Sequence, residues 1–527
     1  MNVLLLSIDS LRRDFLTAYR DTPRCLDYGV ETDNLDRFAE KAITFDNHYA
    51  GSLPCMPARR EWLAGVQEFL WRPWGPMEAY DDSLAELTRE AGALTHLITD
   101  HFHYFQHGSH GYYEDFNGFD FLRGHEYDAW RTAPRDPDER LYRQSADPET
   151  DPPHGVGYVN RTNYARNAEA LGLGDPDADE ENFFGPRVLS RTAEWVGDHD
   201  DWDQWFCYVD SFDVHEPFHC PEPYASMYTD EDPADPDLPF WPYYGPVDEG
   251  QSELSEQELD FVRAQFAGKV TMVDRWFGRV MDALDEGDRW DDTAVIVTSD
   301  HGFFLGDHGW VGKNEPPCYD VLANTPLFVW HPDSPRTGER VDALTSAVDL
   351  YATVLEAMDA TVPDGTHSRS LAPLIRGDAE DHRDYALYGY WGTSVNVTDG
   401  RYTYMHPCDP DEPTDCFSTE MMNARQFAVP RQPKTDAEAG PFLPYTDSPV
   451  WRYDAPSTQQ NEAPLLFDTE ADPEQTENLA AGADPGTDET SGDDGASDQT
   501  ERMRGLLVDA LDDYDAPDSQ YERMGLD

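Results

Sequence analysis

The sequence predicts an α/β fold in which a large, mostly parallel sheet is covered by helices on both faces and followed by a smaller antiparallel subdomain. Three observations carry that expectation. Several strand-length runs are apolar without alternation, as suits strands buried on both faces: Asn2 to Ile8, Leu94 to Thr99 and Thr293 to Thr298. Each run ends in acids or imidazoles, and in a parallel sheet such ends converge on one edge, where ligands bind. Past about residue 380 the texture changes to short alternating runs parted by Pro-Asp turns.

The elements follow in order. Residues 2 to 8 form the first strand, with Asp9 at its carboxyl end, either capping the next helix or serving as a ligand. Thr32 to Lys41 reads as a capped amphipathic helix, and Ala42 to Tyr49 as a strand. Leu84 to Ala91 reads as a helix feeding the strand Leu94 to Thr99, which ends in Asp100-His-Phe-His103. From about 123 to 180 the pattern dissolves into Asp, Pro, Gly and Arg, a long surface insertion. A helix near Val188 to Val196 precedes the strand Trp205 to Asp210, with Asp213, His215 and Pro217 just beyond it. Acidic loops rich in Pro and Trp fill 220 to 250. Glu256 to Leu284 carries apolar residues at helical spacing, including Phe261, Phe266, Val270, Val273 and Phe277, and reads as one long helix. Strands follow at Thr293 to Thr298 and Pro326 to Trp330, and a helix at Ser346 to Met358 closes the sheet layer.

Domain boundaries are expected accordingly: 1–380 for the α/β domain, 381–480 for an α+β subdomain, 481–500 as an acidic disordered segment, and 501–527 as a closing helix and tail.

The chain of 527 residues carries 106 acidic against 38 basic side chains, a net charge of -68. Such a surface repels itself at low salt, but at molar salt the Debye length shrinks to about 3 Å. The composition is that expected of an extreme halophile's protein. It argues against nucleic acid and anionic membranes as partners, while 39% hydrophobic and 13% aromatic residues argue against a disordered chain. Seven scattered cysteines form neither a disulfide framework nor a zinc spacing, although Cys408 and Cys416 stand close enough to pair. The opening apolar run is cut by Asp9 and Arg12, too short for a signal or a membrane span, so a cytoplasmic location is expected.

The chemistry centres on Leu53-Pro-Cys-Met-Pro-Ala-Arg59. Pro54 and Pro57 disfavour a regular element before Ala58, whereas Ala58 to Leu63 favour a helix, placing Cys55 near a helix N-terminus. Free N–H groups and Arg59 there suit a thiolate or a bound oxyanion. The alternative is a small buried hydrophobe. Downstream, Ser299-Asp-His-Gly302 is dense in ligands, so Asp9, Asp300 and His301 can offer an O,O,N set.

Cys-x-Pro-x-Arg, with Leu63 and Gly65 following, resembles the signature of the sulfatase family. The Asp9 strand end, Ser299-Asp-His-Gly302 and the stretch Leu466 to Leu479, with its Asp-Pro-Glu-Gln-Thr-Glu-Asn-Leu, resemble the same family in the same order. The resemblance covers most of the chain and implies an alkaline phosphatase-like fold and sulfuric ester hydrolysis. It implies that Cys55 is oxidised by a formylglycine-generating enzyme to formylglycine, whose hydrated aldehyde attacks sulfur in a small-molecule sulfate ester. By the same resemblance Asp9, Asp300, His301 and Cys55 are metal ligands, for calcium or manganese. Arg59 holds the nucleophile, Lys313 binds sulfate oxygens and His215 protonates the leaving group; a structural turn histidine and a solvated lysine are the plainer readings of the last two. His101, His103 and His308 are further candidates for contact with substrate. Two positions depart from the family pattern: Ser10 replaces a second aspartate, and Asp100-His-Phe-His103 lacks the usual lysine. His301, asparagine in some relatives, leaves hydrolysis of phosphodiesters or phosphonate monoesters as an alternative. A different class also stands open, a catalytically silent relative that binds ions or partners.

Overall fold

The computed structural model describes the whole chain except residues 107–109, 134–137, 139–140, 142–155, 176–177, 200–201, 421–435, 481–493 and 527. Its centre is an eight-stranded sheet. The strands run, from edge to edge, Arg340–Val341, Ile43–Phe45, Leu327–Trp330, Thr293–Thr298, Asn2–Ile8, Trp205–Ser211, Leu94–Thr99 and Gly118–Phe121. Asn2–Ile8 is parallel to both neighbours, pairing Ser7 with Asp210 on one side and with Thr298 on the other. Three strands therefore end side by side at the same edge, bringing Asp9, Asp210 and Asp300 together. Leu327–Trp330 runs antiparallel to both its neighbours, which makes the sheet mixed.

Side chains along the first strand alternate between two cores. Leu4, Leu6 and Ile8 join one core with Phe266, Val270 and Val273 of the 31-residue helix Glu256–Glu286 and with Val188 and Leu189 of the helix Phe184–Asp198. Val3 and Leu5 join the other with Trp62 of the helix Cys55–Ala64, Leu84 of Leu84–Glu90 and Leu350 of Asp349–Ala357. Burial on both faces is why these strands read as uniform apolar runs. The long helix starts on a capping box, in which Ser255 and Glu258 satisfy each other's backbone N–H groups, a feature worth about 1 kcal/mol.

A second, five-stranded sheet takes Leu465–Asp468, Tyr402–His406, Val395–Thr398, Ala386–Tyr390 and Ser52–Leu53 in that order. It is antiparallel except where Ser52–Leu53 pairs parallel with Ala386–Tyr390. That pairing ties the loop before Cys55 to the C-terminal part of the chain. The family-like stretch after Leu466 is a clip. Gln475 accepts from the Asp320 N–H at 2.6 Å and donates to Thr403 Oγ1 at 2.7 Å, and Glu474 pairs with Arg20 at 2.9 Å.

Several expectations need correction. Ala42 to Tyr49 is two short strands, because the chain turns at Asp46, held by Arg340 and Arg13, and His48–Tyr49 leaves the main sheet to pair with Thr345–Ser346. The 123–180 region contains a 16-residue helix, Val156–Leu171, anchored by Asn167, whose amide donates to the carbonyls of Gly124 and Asp128. Within 381–480 the described residues hold strands and no helix. Of the segment expected to be disordered, 481–493 lies outside the described residues, but 494–500 is the start of the helix Asp494–Asp513, whose Met503, Leu507 and Leu511 are buried. The tail carries a further helix, Asp518–Met524. Cys408 and Cys416 form no disulfide with each other.

Candidate active site

The strand ends place a dense polar cluster beside the N-terminus of Cys55–Ala64, a helix buried at every position. Cys55 Sγ lies 3.3 Å from His301 Nε2 and 3.3 Å from Lys313 Nζ. Arg59 lies one turn along the helix and faces the same way. Its guanidinium bonds Asp9 Oδ2 at 2.8 Å, Asp210 at 2.9 and 3.1 Å, the Asp300 carboxylate, and the Cys55 carbonyl oxygen at 3.1 Å. Three buried carboxylates thus share one buried cation. Burial opposes ionisation, but Arg59 holds Asp210 and Asp300 well below the usual carboxylate range, whereas burial and the neighbouring Asp300 push Asp9 up. Lys313 Nζ reaches Ser10 Oγ at 3.5 Å and Asp9 Oδ1 at 3.9 Å; although burial works against its charge, Cys55 and Asp9 raise it above its ordinary value.

Ser10, in the place of the second aspartate, sits at a left-handed φ of 61°. Its hydroxyl donates to Asp9 at 2.7 Å and its N–H to Asp300 at 3.0 Å, so the polar side chain and the unusual backbone together orient both acids. A Cβ on Gly302 would overlap the Val321 carbonyl; only glycine lets the loop after His301 run this close.

The donor set fits a divalent cation. Ligand atoms of Asp9, Cys55, Asp300 and His301 all lie within 4.8 Å of one another. His301 Nδ1 is 2.9 Å from the Gly302 carbonyl, which can only accept, so the proton stays on Nδ1 and Nε2 presents a lone pair to the cluster. Burial pushes this imidazole down to about 3, away from the charged form that could not bind metal.

His215 stacks on Phe212 with centroids 4.2 Å apart, and Nδ1 is 2.9 Å from the Glu216 carbonyl oxygen. Lys269 pins this loop, donating to the carbonyls of His215 and Pro217 at 2.8 Å while pairing with Asp213 at 2.5 Å. His101 stacks on the other side of the site's aromatic wall, against Phe212 at 4.2 Å, and bonds Asp210 through Nδ1 at 3.2 Å. His103 sits edge-on to Trp74 with Nε2 at 3.3 Å from Glu126. His308 stands apart: exposed, at φ 51°, it stacks on Tyr319 at 3.7 Å, and none of the bonds or ring contacts recorded for it involves Cys55, Arg59 or Lys313.

Three residues escaped the sequence reading. Asp210 was legible only as the last residue of a strand, yet it forks Arg59 and takes a 2.5 Å bond from Ser7, its register partner. Glu126 lies in the region read as an insertion and Glu216 beside the singled-out His215; with His215 they form a second buried group whose ligand atoms lie within 4.8 Å.

Comparison with known proteins identifies the family and the fold. The sulfatase family model matches residues 1–360. An arylsulfatase of Clostridium perfringens is 23% identical over 409 residues, covering 73% of this chain and 80% of its own. The multifunctional alkaline phosphatase superfamily protein PehA of Trinickia caryophylli is 27% identical over 435 residues, with 74% and 80% covered. The crystal structure of the phosphonate monoester hydrolase of Agrobacterium radiobacter superposes with a TM-score of 0.62 at 20% identity, covering 97% of this chain and 96% of that one, which shows the shared alkaline phosphatase-like fold. The chain belongs to the sulfatase family, whose members hydrolyse sulfuric esters.

Proposed function

We propose that the protein hydrolyses small sulfate monoesters at Cys55 once a separate enzyme has oxidised that residue to formylglycine, with one divalent cation held by Asp9, Asp300, His301 and residue 55. The observation that carries this reading is the convergence of Cys55 Sγ, Lys313 Nζ and His301 Nε2 within 3.3 Å contacts above the Arg59 fork. When present, the cation polarises sulfate oxygens and the formylglycine supplies the nucleophilic oxygen. The O,O,N donors suit calcium or manganese.

The chain's own residues do the rest. Arg59 fixes Asp9 and Asp300 in one orientation, so no reorganisation is needed as charge develops. Lys313 takes a sulfate oxygen beside residue 55. His215 keeps Nδ1 turned to Glu216 oxygens, leaving Nε2 to serve the departing oxygen. Burial and then Lys313 keep this ring neutral in the free protein; the anionic ester offsets Lys313 and allows the ring to carry the proton it delivers. His101 and His103 flank the same wall and are proposed to contact substrate. The acidic composition fits work at molar salt.

Phosphonate monoester hydrolysis at the same site is a second reading, favoured by the nitrogen ligand His301. One comparison separates the two: the peptide mass around Cys55 is measured, then kcat/KM for 4-nitrophenyl sulfate and 4-nitrophenyl phenylphosphonate in molar KCl. An aldehyde at residue 55 with at least about tenfold preference for the sulfate is expected. A reversed preference would make the protein a phosphonate hydrolase, and an unmodified thiol with neither activity would reject the proposed chemistry.

A further inference from the structure

Beside Lys313, on the side marked by His215, two carboxylates are buried without a cation of their own. Glu126 is 3% exposed and Glu216 is 2% exposed. Among the described residues nothing donates a hydrogen bond to Glu126 Oε2 or Glu216 Oε2. The nearest nitrogens, His103 Nε2 at 3.3 Å and His215 Nδ1 at 3.2 Å, belong to imidazoles that burial keeps neutral. Among the described residues the cation that acts on both carboxylates is Lys313, and its Nζ is already engaged with Cys55 and Asp9. Burial accordingly pushes Glu126 up to about 8 and Glu216 up to about 6.

This arrangement is costly for a site that must admit an anionic ester. When ionised, the two carboxyls repel an incoming sulfate and acidic or sugar-acid leaving groups, so burial keeps Glu126 largely protonated until a cation arrives beside it. A positive charge on the substrate's other half reverses the sign of that interaction. The walls agree. Tyr244, half-buried, puts its hydroxyl on Glu216, and Tyr127, half-buried and next in the chain to Glu126, packs 5.9 Å from Phe102. Carboxylates set among aromatic faces suit an alkylammonium, which gains from both. A metal ion would gain nothing from the rings, and the Lys313 charge opposes a dication more than a monocation.

We propose that the buried cluster of Glu126, His215 and Glu216 receives an organic ammonium on the alcohol half of the substrate, so that the preferred esters are sulfates of amino or quaternary-ammonium alcohols. This rests on the reading of His215 as the group beside the departing oxygen.

The test uses the metal-loaded protein with oxidised Cys55 and compares kcat/KM for 2-aminoethyl sulfate and for propyl sulfate, which match in length and differ in charge. A preference of about 100-fold for the ammonium ester is expected, cut about tenfold by Glu126→Gln and again by Glu216→Gln. Because the readout is a ratio within each variant, partial misfolding does not mimic the result. A wild-type ratio near one, or a ratio that the variants leave unchanged, overturns the proposal. Calorimetry with ethanolamine alone reads the pocket without chemistry: binding weakened about tenfold by Glu126→Gln supports it even if no sulfate is cleaved, in which case the sulfatase reading fails on its own. Absence of ethanolamine binding overturns the pocket. Metal analysis showing two divalent ions per chain, falling to one in Glu126→Gln, assigns the pocket to a metal and overturns the ammonium.

Discussion

Around Arg59, three buried carboxylates share one guanidinium; around Glu216, two buried carboxylates share none. Both groups stand at the carboxyl edge of the same sheet, and Lys313 lies between them. In the first, every acid has a charged hydrogen bond and two of the three carboxyls are held low. In the second, burial outweighs Lys313 and, at Glu216, the Tyr244 hydroxyl, and the carboxyls rise. The difference separates framework from binding surface: a network whose charges are balanced internally stays rigid, whereas acids left short of positive charge are completed by what binds.

Converting the first group into the second is the most severe test. Arg59→Gln leaves Asp9, Asp210 and Asp300 without their cation, and a loss of about 3–5 kcal/mol in unfolding free energy is expected, together with about a thousandfold fall in kcat. Denaturant unfolding and single-turnover assays check both; a variant with native stability would mean the acids are not held as a network. His215→Asn probes the junction between the groups. Its kcat on an alkyl sulfate should fall about a hundredfold, but less than tenfold on 4-nitrophenyl sulfate, whose leaving group needs little protonation. Equal losses on the two esters would deny His215 a proton-transfer role.

The smallest effect concerns a buried acid on the same helix, Glu61, whose main partner is the Ser52 N–H and which burial pushes up to about 8. Its unfolded value lies near 4.5, so the folded chain binds the extra proton between the two. The contribution to stability is complete below pH 4.5 and is lost as pH rises through 8. Glu61→Gln keeps the acceptor for Ser52 without the charge. Its melting temperature at pH 8 should exceed that of the unsubstituted protein by about 2 °C, with no gain at pH 4.5, as thermal unfolding in molar KCl will show.

Much of this was legible in sequence. Strands buried on both faces announce themselves, and Leu94–Thr99 and Thr293–Thr298 match their apolar runs residue for residue. Asp9, Cys55, Arg59, Asp300, His301 and Lys313 follow recognisable spacings. What escaped depends on register or on tertiary partners. Asp210 matters because Ser7 and His101 flank it across strands, and no local pattern encodes that. Leu327–Trp330 shows no sign of its antiparallel direction, since a short apolar run reads the same both ways. The helix Val156–Leu171 packs Tyr164, Ala165 and Ala168 into the core, and Asn167 ties it to the carbonyls of Gly124 and Asp128, long-range contacts that no local pattern encodes. Glu126 and Glu216 read as two acids among 106, and only their burial sets them apart.

Cys55 is 2% exposed, and the atoms that close over it arrive late. Lys313 lies 258 residues further along the chain and His301 lies 246 residues further. At about 5–20 residues per second, a ribosome needs roughly 13–50 seconds to extend the chain from Cys55 to Lys313. The oxidising enzyme of the proposed chemistry would therefore meet an open substrate during that interval, and a chain that folded unmodified would bury Cys55 as the thiol. On the proposed chemistry, the yield of active protein would be set by a race between synthesis and modification.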